Sequence, residues 1–201
     1  MAKKSNKIEG TLDRREVVGA ILEKREDALV VTGLGSSCYD AGVHDHPNTF
    51  YLWGAMGAAA MVGLGLALAQ PSRRVVVITG DGEMLMGLGS LATIAAKAPR
   101  NLSIVVIDNE LYAETGMQFT HTASGVDLAG MAKAAGFAKA ETVREDAAVG
   151  AAIEAIYGEA GPVFIDMKVS SKRYPMSIKL RDGAHIKNRF RENLLGQKAF
   201  D

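Results

Sequence analysis

Apolar and polar positions run through this chain in two rhythms. Over residues 11–25 apolar side chains recur at helical spacing, with Val17, Val18, Ile21 and Leu22 on one side and charges on the other, which predicts an amphipathic helix. Residues 28–32 form a short apolar run ending at Gly33, the mark of a buried strand. The clearest strand is 73–79, unbroken and rich in β-branched residues, and Gly80-Asp81-Gly82 stops it. A helix is expected over 83–97, with Leu85, Leu88, Leu91, Ile94 and Ala95 at helical spacing and Pro99 closing it. A second β-branched strand, 102–107, ends at Asp108-Asn109. Helices follow over 127–135, with Gly136 as C-cap, and over 145–159; a further strand covers 162–169. The tail scatters Ile178, Leu180, Ile186, Phe190, Leu194 and Leu195 among Lys and Arg and is expected to end in a short helix.

Residues 52–69 carry no charge over 18 positions, long enough to raise the question of a membrane span. Gly54, Gly57, Gly63, Gly65 and many alanines dilute the hydrophobicity and suit close packing on other backbone, so a buried helix is the reading. A loop rich in Gly, Ser, Asp, His and Pro is expected over 33–48. Strand and helix alternate, and the strongest strands are apolar throughout. That pattern predicts an α/β fold, a doubly wound and mainly parallel sheet with helices on both faces. One domain is expected over 1–201, with 1–10 a flexible arm and 175–201 a C-terminal extension.

Composition narrows the function classes. Lys plus Arg and Asp plus Glu both total 23, so the basic excess of a nucleic-acid binder is missing. The lone Cys38 excludes an internal disulfide framework and fits a reducing, cytoplasmic setting. The basic start, Met1 to Lys7, is not followed by an apolar segment of the secretory type.

Ligands of open α/β sheets bind outside the carboxyl ends of the strands, where this sequence places Gly80-Asp81-Gly82-Glu83 and Asp108-Asn109-Glu110. Asp81 and Asn109 offer the hard oxygen donors that Mg²⁺ or Ca²⁺ prefers, and the glycines allow backbone to approach an anion closely. Both clusters are also ordinary turn sequences. Their pairing, each at a strand end with a helix between, favours the functional reading.

Gly80-Asp81-Gly82 followed by Asn109 resembles the cofactor motif of the thiamine diphosphate-dependent decarboxylases. The resemblance implies thiamine diphosphate and Mg²⁺ as cofactors, with Asp81, Asn109 and the carbonyl of Leu111 as metal ligands. Leu52-Trp53-Gly54-Ala55-Met56-Gly57 is similar to the segment that grips the aminopyrimidine, which implies the Gly54 carbonyl as acceptor and Met56 as the wedge under the cofactor. Residues 109–118, with Tyr112 and Glu114, resemble the loop covering the diphosphate in sulfopyruvate and phosphonopyruvate decarboxylases, as do 45–51 and 86–94. The likeness runs over roughly 30–169. It implies a small 2-oxo acid substrate, and an α subunit that carries the pyrimidine-binding domain and the activating Glu, in an α2β2 or larger assembly.

Two positions depart from that pattern. Glu83 stands where a small hydroxyl residue is common, and is expected to point away from the diphosphate or to do something else. Ser37 stands where an arginine would suit a sulfonate or phosphonate. Asp40, His44 and His46 follow in the same loop; the histidines either line the pocket as proton carriers or are surface residues. Glu114 joins them as a catalytic candidate, while His121 and His185 have weaker claims, and Cys38 reads as a small buried residue. A carboligase of acyloin or acetolactate type and a non-catalytic scaffold subunit are the alternatives. Gly33-Leu34-Gly35 lacks the third glycine of a dinucleotide loop, that place being Cys38.

Overall fold

The computed structural model describes residues 10–177 and 181–200; residues 1–9 of the expected N-terminal arm, and Ile178 and Leu180 of the tail, lie outside them. Helix α1 (Arg14–Glu23) starts at Asp13, whose carboxylate accepts from the Arg15 and Glu16 N–H groups, and it buries the expected Val17, Val18, Ile21 and Leu22. Strand β1 (Leu29–Thr32) is buried throughout. Then come α2 (Ser36–Ala41), a 3₁₀ turn (Gly42–His44), β2 (Thr49–Tyr51), α3 (Ala59–Ala69), β3 (Val75–Gly80), α4 (Asp81–Met86), α5 (Ser90–Lys97) and β4 (Leu102–Asp108). A small hairpin of β5 (Leu111–Tyr112) and β6 (Gln118–Phe119) leads through a 3₁₀ turn (Thr122–Ser124) to α6 (Leu128–Ala135) and β7 (Lys139–Val143). Helix α7 (Asp146–Gly158), β8 (Val163–Lys168) and α8 (Gly183–Leu195) complete the order, with a last 3₁₀ turn at Gly196–Ala199.

Six strands form one sheet in the order β2-β1-β3-β4-β8-β7, every neighbouring pair parallel. Alternate residues of each strand feed two cores. Val76, Ile78, Val105 and Ile165 face α1 and α7 through Val18, Ile21 and Ile156. Val75, Val77, Ile104 and Phe164 face α3, α5 and α6 through Leu64, Ile94 and Leu128. The parallel, two-sided architecture is the one the apolar strands predict. From β1 the chain moves outward to β2, whereas from β3 it moves the other way to β4. The crevice at the carboxyl ends of β1 and β3 is therefore the topological switch point.

Several elements differ from expectation, each for a local reason. The loop predicted over 33–48 holds α2 and a 3₁₀ turn, and β2 follows it. The helix predicted over 52–69 begins only at Ala59; the preceding residues are irregular, with Ala55 at φ 53° and Gly57 at φ 92°. The helix predicted over 83–97 is two, broken after Met86 where the Gly87 Cα lies against the Gly57 carbonyl. Strand β7 escaped the pattern because at this sheet edge only Val143 of the five residues is buried. The last helix is longer than expected, 13 residues, and covers the β2 edge. Phe190 meets Phe50 at 5.5 Å between ring centroids, and Arg189 grips Asp45 with two bonds of 2.9 Å. No helix among the described residues is long and apolar enough to cross a membrane.

The small residues of α3 explain how closely it approaches the sheet. A Cβ placed on Gly63 would stand 2.2 Å from Val77 Cγ2, so Gly63→Val is expected to lower stability by about 1–3 kcal/mol through overpacking. Urea denaturation measures this, and an unchanged midpoint would contradict the close helix–sheet contact.

Candidate active site at the sheet switch point

Pairing of β3 with β4 sets Gly80 opposite Ile107, so the next residues, Asp81 and Asp108, leave the sheet side by side. Asp81 opens α4 and is only 2% exposed. Its Oδ2 accepts from Thr120 Oγ1 at 2.5 Å and has Thr122 Oγ1 at 3.2 Å. The Thr122 hydroxyl also lies 2.9 Å from Asp108 Oδ1, so its single proton serves one carboxylate at a time. Lys168, opposite Asp108 on β8, donates to Asp108 Oδ2 at 2.7 Å and to Glu110 Oε1 at 2.9 Å. Burial pushes Asp81 up to about 7, Asp108's charge adds to the push, and the threonine hydroxyls oppose it. Asp166 is raised to about 8, again by burial first and then by Asp108, and its Oδ1 has no hydrogen-bond partner among the described residues.

Four carboxyl groups, Asp81, Asp108, Glu110 and Asp166, thus crowd one buried region around the Lys168 ammonium. A divalent cation is the natural relief for such a set. The donors suited to it are hard oxygens: the Asp81 carboxylate, the Asn109 side-chain carbonyl and the Leu111 backbone carbonyl. Two tight side-chain turns shape the second cluster, Glu110 N–H to Asp108 Oδ1 and Leu111 N–H to Asn109 Oδ1, each 3.0 Å. Between them Glu110 takes φ 63°, a left-handed conformation that a non-glycine residue holds only when its surroundings enforce it. The residues present fit a Mg²⁺ ion.

One cleft collects most of the sequence candidates. Met56, Gly80, Asp81, Gly82, Asn109, Leu111, Tyr112 and Glu114 line it together with Arg14 and residues 34–37. Gly82 is required by contact: a Cβ there would stand 2.4 Å from Tyr112 Cε1, with the Met56 methyl 3.5 Å away. Glu114 overhangs Gly35 from the hairpin, its Oε1 2.8 Å from where a Gly35 Cβ would be. Gly54 stands outside this set, exposed and with open space above its Cα.

Glu83 lines the same cleft, with its carboxylate tied to backbone N–H groups. Its Oε2 accepts from the Leu34 N–H at 2.7 Å and its Oε1 from the Ala59 N–H at 3.4 Å, which ties α4 to the loop after β1 and to the start of α3.

His44 and His46 require correction as catalytic candidates. Both precede β2 and so sit toward the amino end of a parallel sheet, away from the cleft. The His44 ring packs on Gly19 in the middle of α1, and its carbonyl accepts from Arg25 at 2.8 Å. His46 Nδ1 accepts from the Asn48 N–H at 3.1 Å, and burial lowers its pKa. Helix α2 carries the chain down from the cleft before either histidine is reached, which composition could not reveal. Asp40 is buried in ion pairs with Arg14 and Arg15. Cys38 is buried and its thiol is pushed up to about 12 by desolvation, the behaviour of a small core residue. Sequence reasoning missed Arg14, Thr120, Thr122 and Lys168. The one available signal was a lysine closing a largely apolar strand that also carries Asp166, level with Asp108.

Residues 34–167 match the family profile described as thiamine pyrophosphate enzyme, C-terminal TPP binding domain. This chain belongs to that family. Thiamine pyrophosphate is thiamine diphosphate under its older name, and the matched span holds every cleft residue above except Arg14. Among relatives of this TPP-binding domain, the sulfopyruvate decarboxylase subunit beta of Methanothermobacter thermautotrophicus is 47% identical over 127 residues, 63% of this chain and 68% of that protein. The phosphonopyruvate decarboxylase of Streptomyces viridochromogenes is 48% identical over 118 residues, 58% of this chain but only 29% of that protein. A Mycobacterium smegmatis structure reported as a thiamin diphosphate-dependent enzyme superposes with a TM-score of 0.68 over 80% of this chain and 32% of its own, at 22% identity, and so shares the fold.

Two outcomes follow for the TPP-binding domain. Asp166 has its pKa raised above the unfolded value of 3.8, so stability is fullest below that value and declines as pH rises through about 8. Asp166→Asn is expected to flatten that decline in melting curves between pH 4 and 9; a variant that tracks the wild type would contradict the burial of an uncharged Asp166. Glu83→Ala removes the acceptor of two backbone N–H groups and is expected to cost about 2–3 kcal/mol in urea denaturation, with Glu83→Gln costing less. Equal losses for both would contradict the clamp.

Proposed function

We propose that this chain is the cofactor-holding subunit of a decarboxylase that converts a small 2-oxo acid into an aldehyde and CO₂, of the sulfopyruvate or phosphonopyruvate kind. The observation carrying this is the convergence of Asp81, Asn109 and Leu111 on one cleft at the switch point, with Gly82 packed beneath Tyr112. Asp81, the Asn109 amide oxygen and the Leu111 carbonyl would hold Mg²⁺, and the Gly80–Gly82 turn would carry the diphosphate. Bound thiamine diphosphate supplies the electron sink that lets a 2-oxo acid lose CO₂.

The protein's own contribution is binding, orientation and exclusion of water. Met56 would support the cofactor, while the hairpin bearing Tyr112 and Glu114 would cover the diphosphate and limit solvent there. Glu83 keeps the floor of the cleft, the loop after β1 and the start of α3 in fixed relation. An adjoining cavity of about 320 Å³ is bordered by Arg14, Lys172 and Arg173, cationic groups suited to the carboxylate or anionic tail of a substrate. These come from α1 and from the segment after β8, so Ser37 in the loop need not supply the charge.

A partner subunit is supported by the β-subunit name of the methanogen relative. It is supported too by exposed apolar residues near the cofactor segment: Met61 and Leu68 on α3 at 42% and 51%, and Met86 at 66%. The exposed Gly54 carbonyl and Met56 would face the pyrimidine across that contact. The decarboxylase names of relatives at 47% and 48% identity favour decarboxylation over carboligation.

Calorimetric titration of thiamine diphosphate with Mg²⁺ into the chain, alone and with its co-purifying partner, tests the binding claim. Metal-dependent binding that Asp81→Ala abolishes is expected, followed by CO₂ release from sulfopyruvate or phosphonopyruvate in preference to pyruvate. Absence of binding with the partner present would overturn the proposal.

A further inference from the structure

The metal-ligand assignment leaves one buried group unexplained. Lys168 ends β8, is 4% exposed, and spans Asp108 and Glu110, the two residues that bracket Asn109. Glu110 in turn separates Asn109 from Leu111 and holds φ 63°. Rotating that one residue back to a common conformation would swing the Leu111 carbonyl relative to the Asn109 side chain. The ammonium clamps both flanks of Asn109 to the adjacent strand, and the chain of contacts continues from Asp108 through Thr122 to Asp81. A lysine buried at the end of a strand is costly to desolvate, so its placement needs the two carboxylates, and they need it.

We propose that Lys168 is a positioning residue which locks the 108–111 loop in its left-handed turn, so that Asn109 and the Leu111 carbonyl stand ready for the cation before cofactor arrives. The inference rests on Asp81, Asn109 and Leu111 being the metal donors. Lys168 itself touches neither metal nor substrate; it acts through Asp108 and Glu110. Electrostatics and positioning make opposite forecasts here. Removing a nearby cation should tighten Mg²⁺ binding if charge alone matters, and loosen it if the loop loses its shape.

Amide hydrogen exchange on the full chain without cofactor reads the loop directly, comparing wild type with Lys168→Met and Glu110→Gln. Expected is loss of protection at the Glu110, Leu111 and Thr120 amides, whose acceptors are Asp108 Oδ1, Asn109 Oδ1 and the Glu110 carbonyl, with β3 and β4 unchanged. Glu110→Gln weakens the Lys168–Glu110 link while Lys168 stays in place, and decides the matter should Lys168→Met misfold. Adding Asp108→Asn to Lys168→Met removes one stranded carboxylate and should restore part of the protection. Calorimetry with Mg²⁺ and thiamine diphosphate should show about tenfold or greater weakening in Lys168→Met, the usual effect of losing a group behind a metal ligand. Unchanged exchange at those three amides, or tighter Mg²⁺ binding, overturns the inference alone. Failure of the wild type to bind Mg²⁺ with thiamine diphosphate removes the ligand assignment, and the inference with it.

Discussion

Everything about this site follows from one register. With Gly80 in register opposite Ile107, the strand ends of β3 and β4 release two aspartates next to each other in a region nearly closed to water. Two bare carboxylates so placed repel, and desolvation raises the cost further. The structure answers with hydroxyls from Thr120 and Thr122 and the ammonium of Lys168, drawn from the segment after the hairpin and from β8. These groups soften the repulsion without cancelling it. Asp81 and Asp166 keep raised pKa values there, a strain that a divalent cation would relieve.

The surrounding architecture serves that point. Small residues let α3 lie directly on β3, and the irregular segment before α3 is thereby delivered to the cleft beside Gly82. Glu83 reaches back from the Gly80–Gly82 turn to hold that helix start and the loop after β1. The same carboxylate that looked misplaced next to an anion is a buried strut. On the far edge, α8 folds over β2 and shields a three-residue strand that could not stand alone.

Much of this was legible beforehand, for physical reasons. Continuous β-branched runs at 73–79 and 102–107 cannot be much besides buried strands, and glycine or Asp-Asn at their ends marks the carboxyl edge where ligands sit. The metal candidates were therefore placed by secondary structure alone. What the sequence concealed was long-range. Nothing local says that α2 turns the chain away from the cleft, leaving His44 against α1 and His46 beside Asn48. Thr120, Thr122 and Arg14 are unremarkable in sequence, and become meaningful only once β4 and the hairpin bring them to Asp81 and α1 docks beside the loop after β1. Strands β2 and β7 were hidden because edge strands carry a weaker pattern than central ones.

The most direct test of the account is to locate the metal. A crystal structure of the complex with thiamine diphosphate and Mn²⁺ in place of Mg²⁺ would mark the ion by its anomalous signal. The account places it between the Asp81 carboxylate, the Asn109 side-chain carbonyl and the Leu111 backbone carbonyl, each at about 2.1 Å as for a Mg²⁺ site. A metal bound elsewhere, or a diphosphate seated away from the Gly80–Gly82 turn, would contradict it.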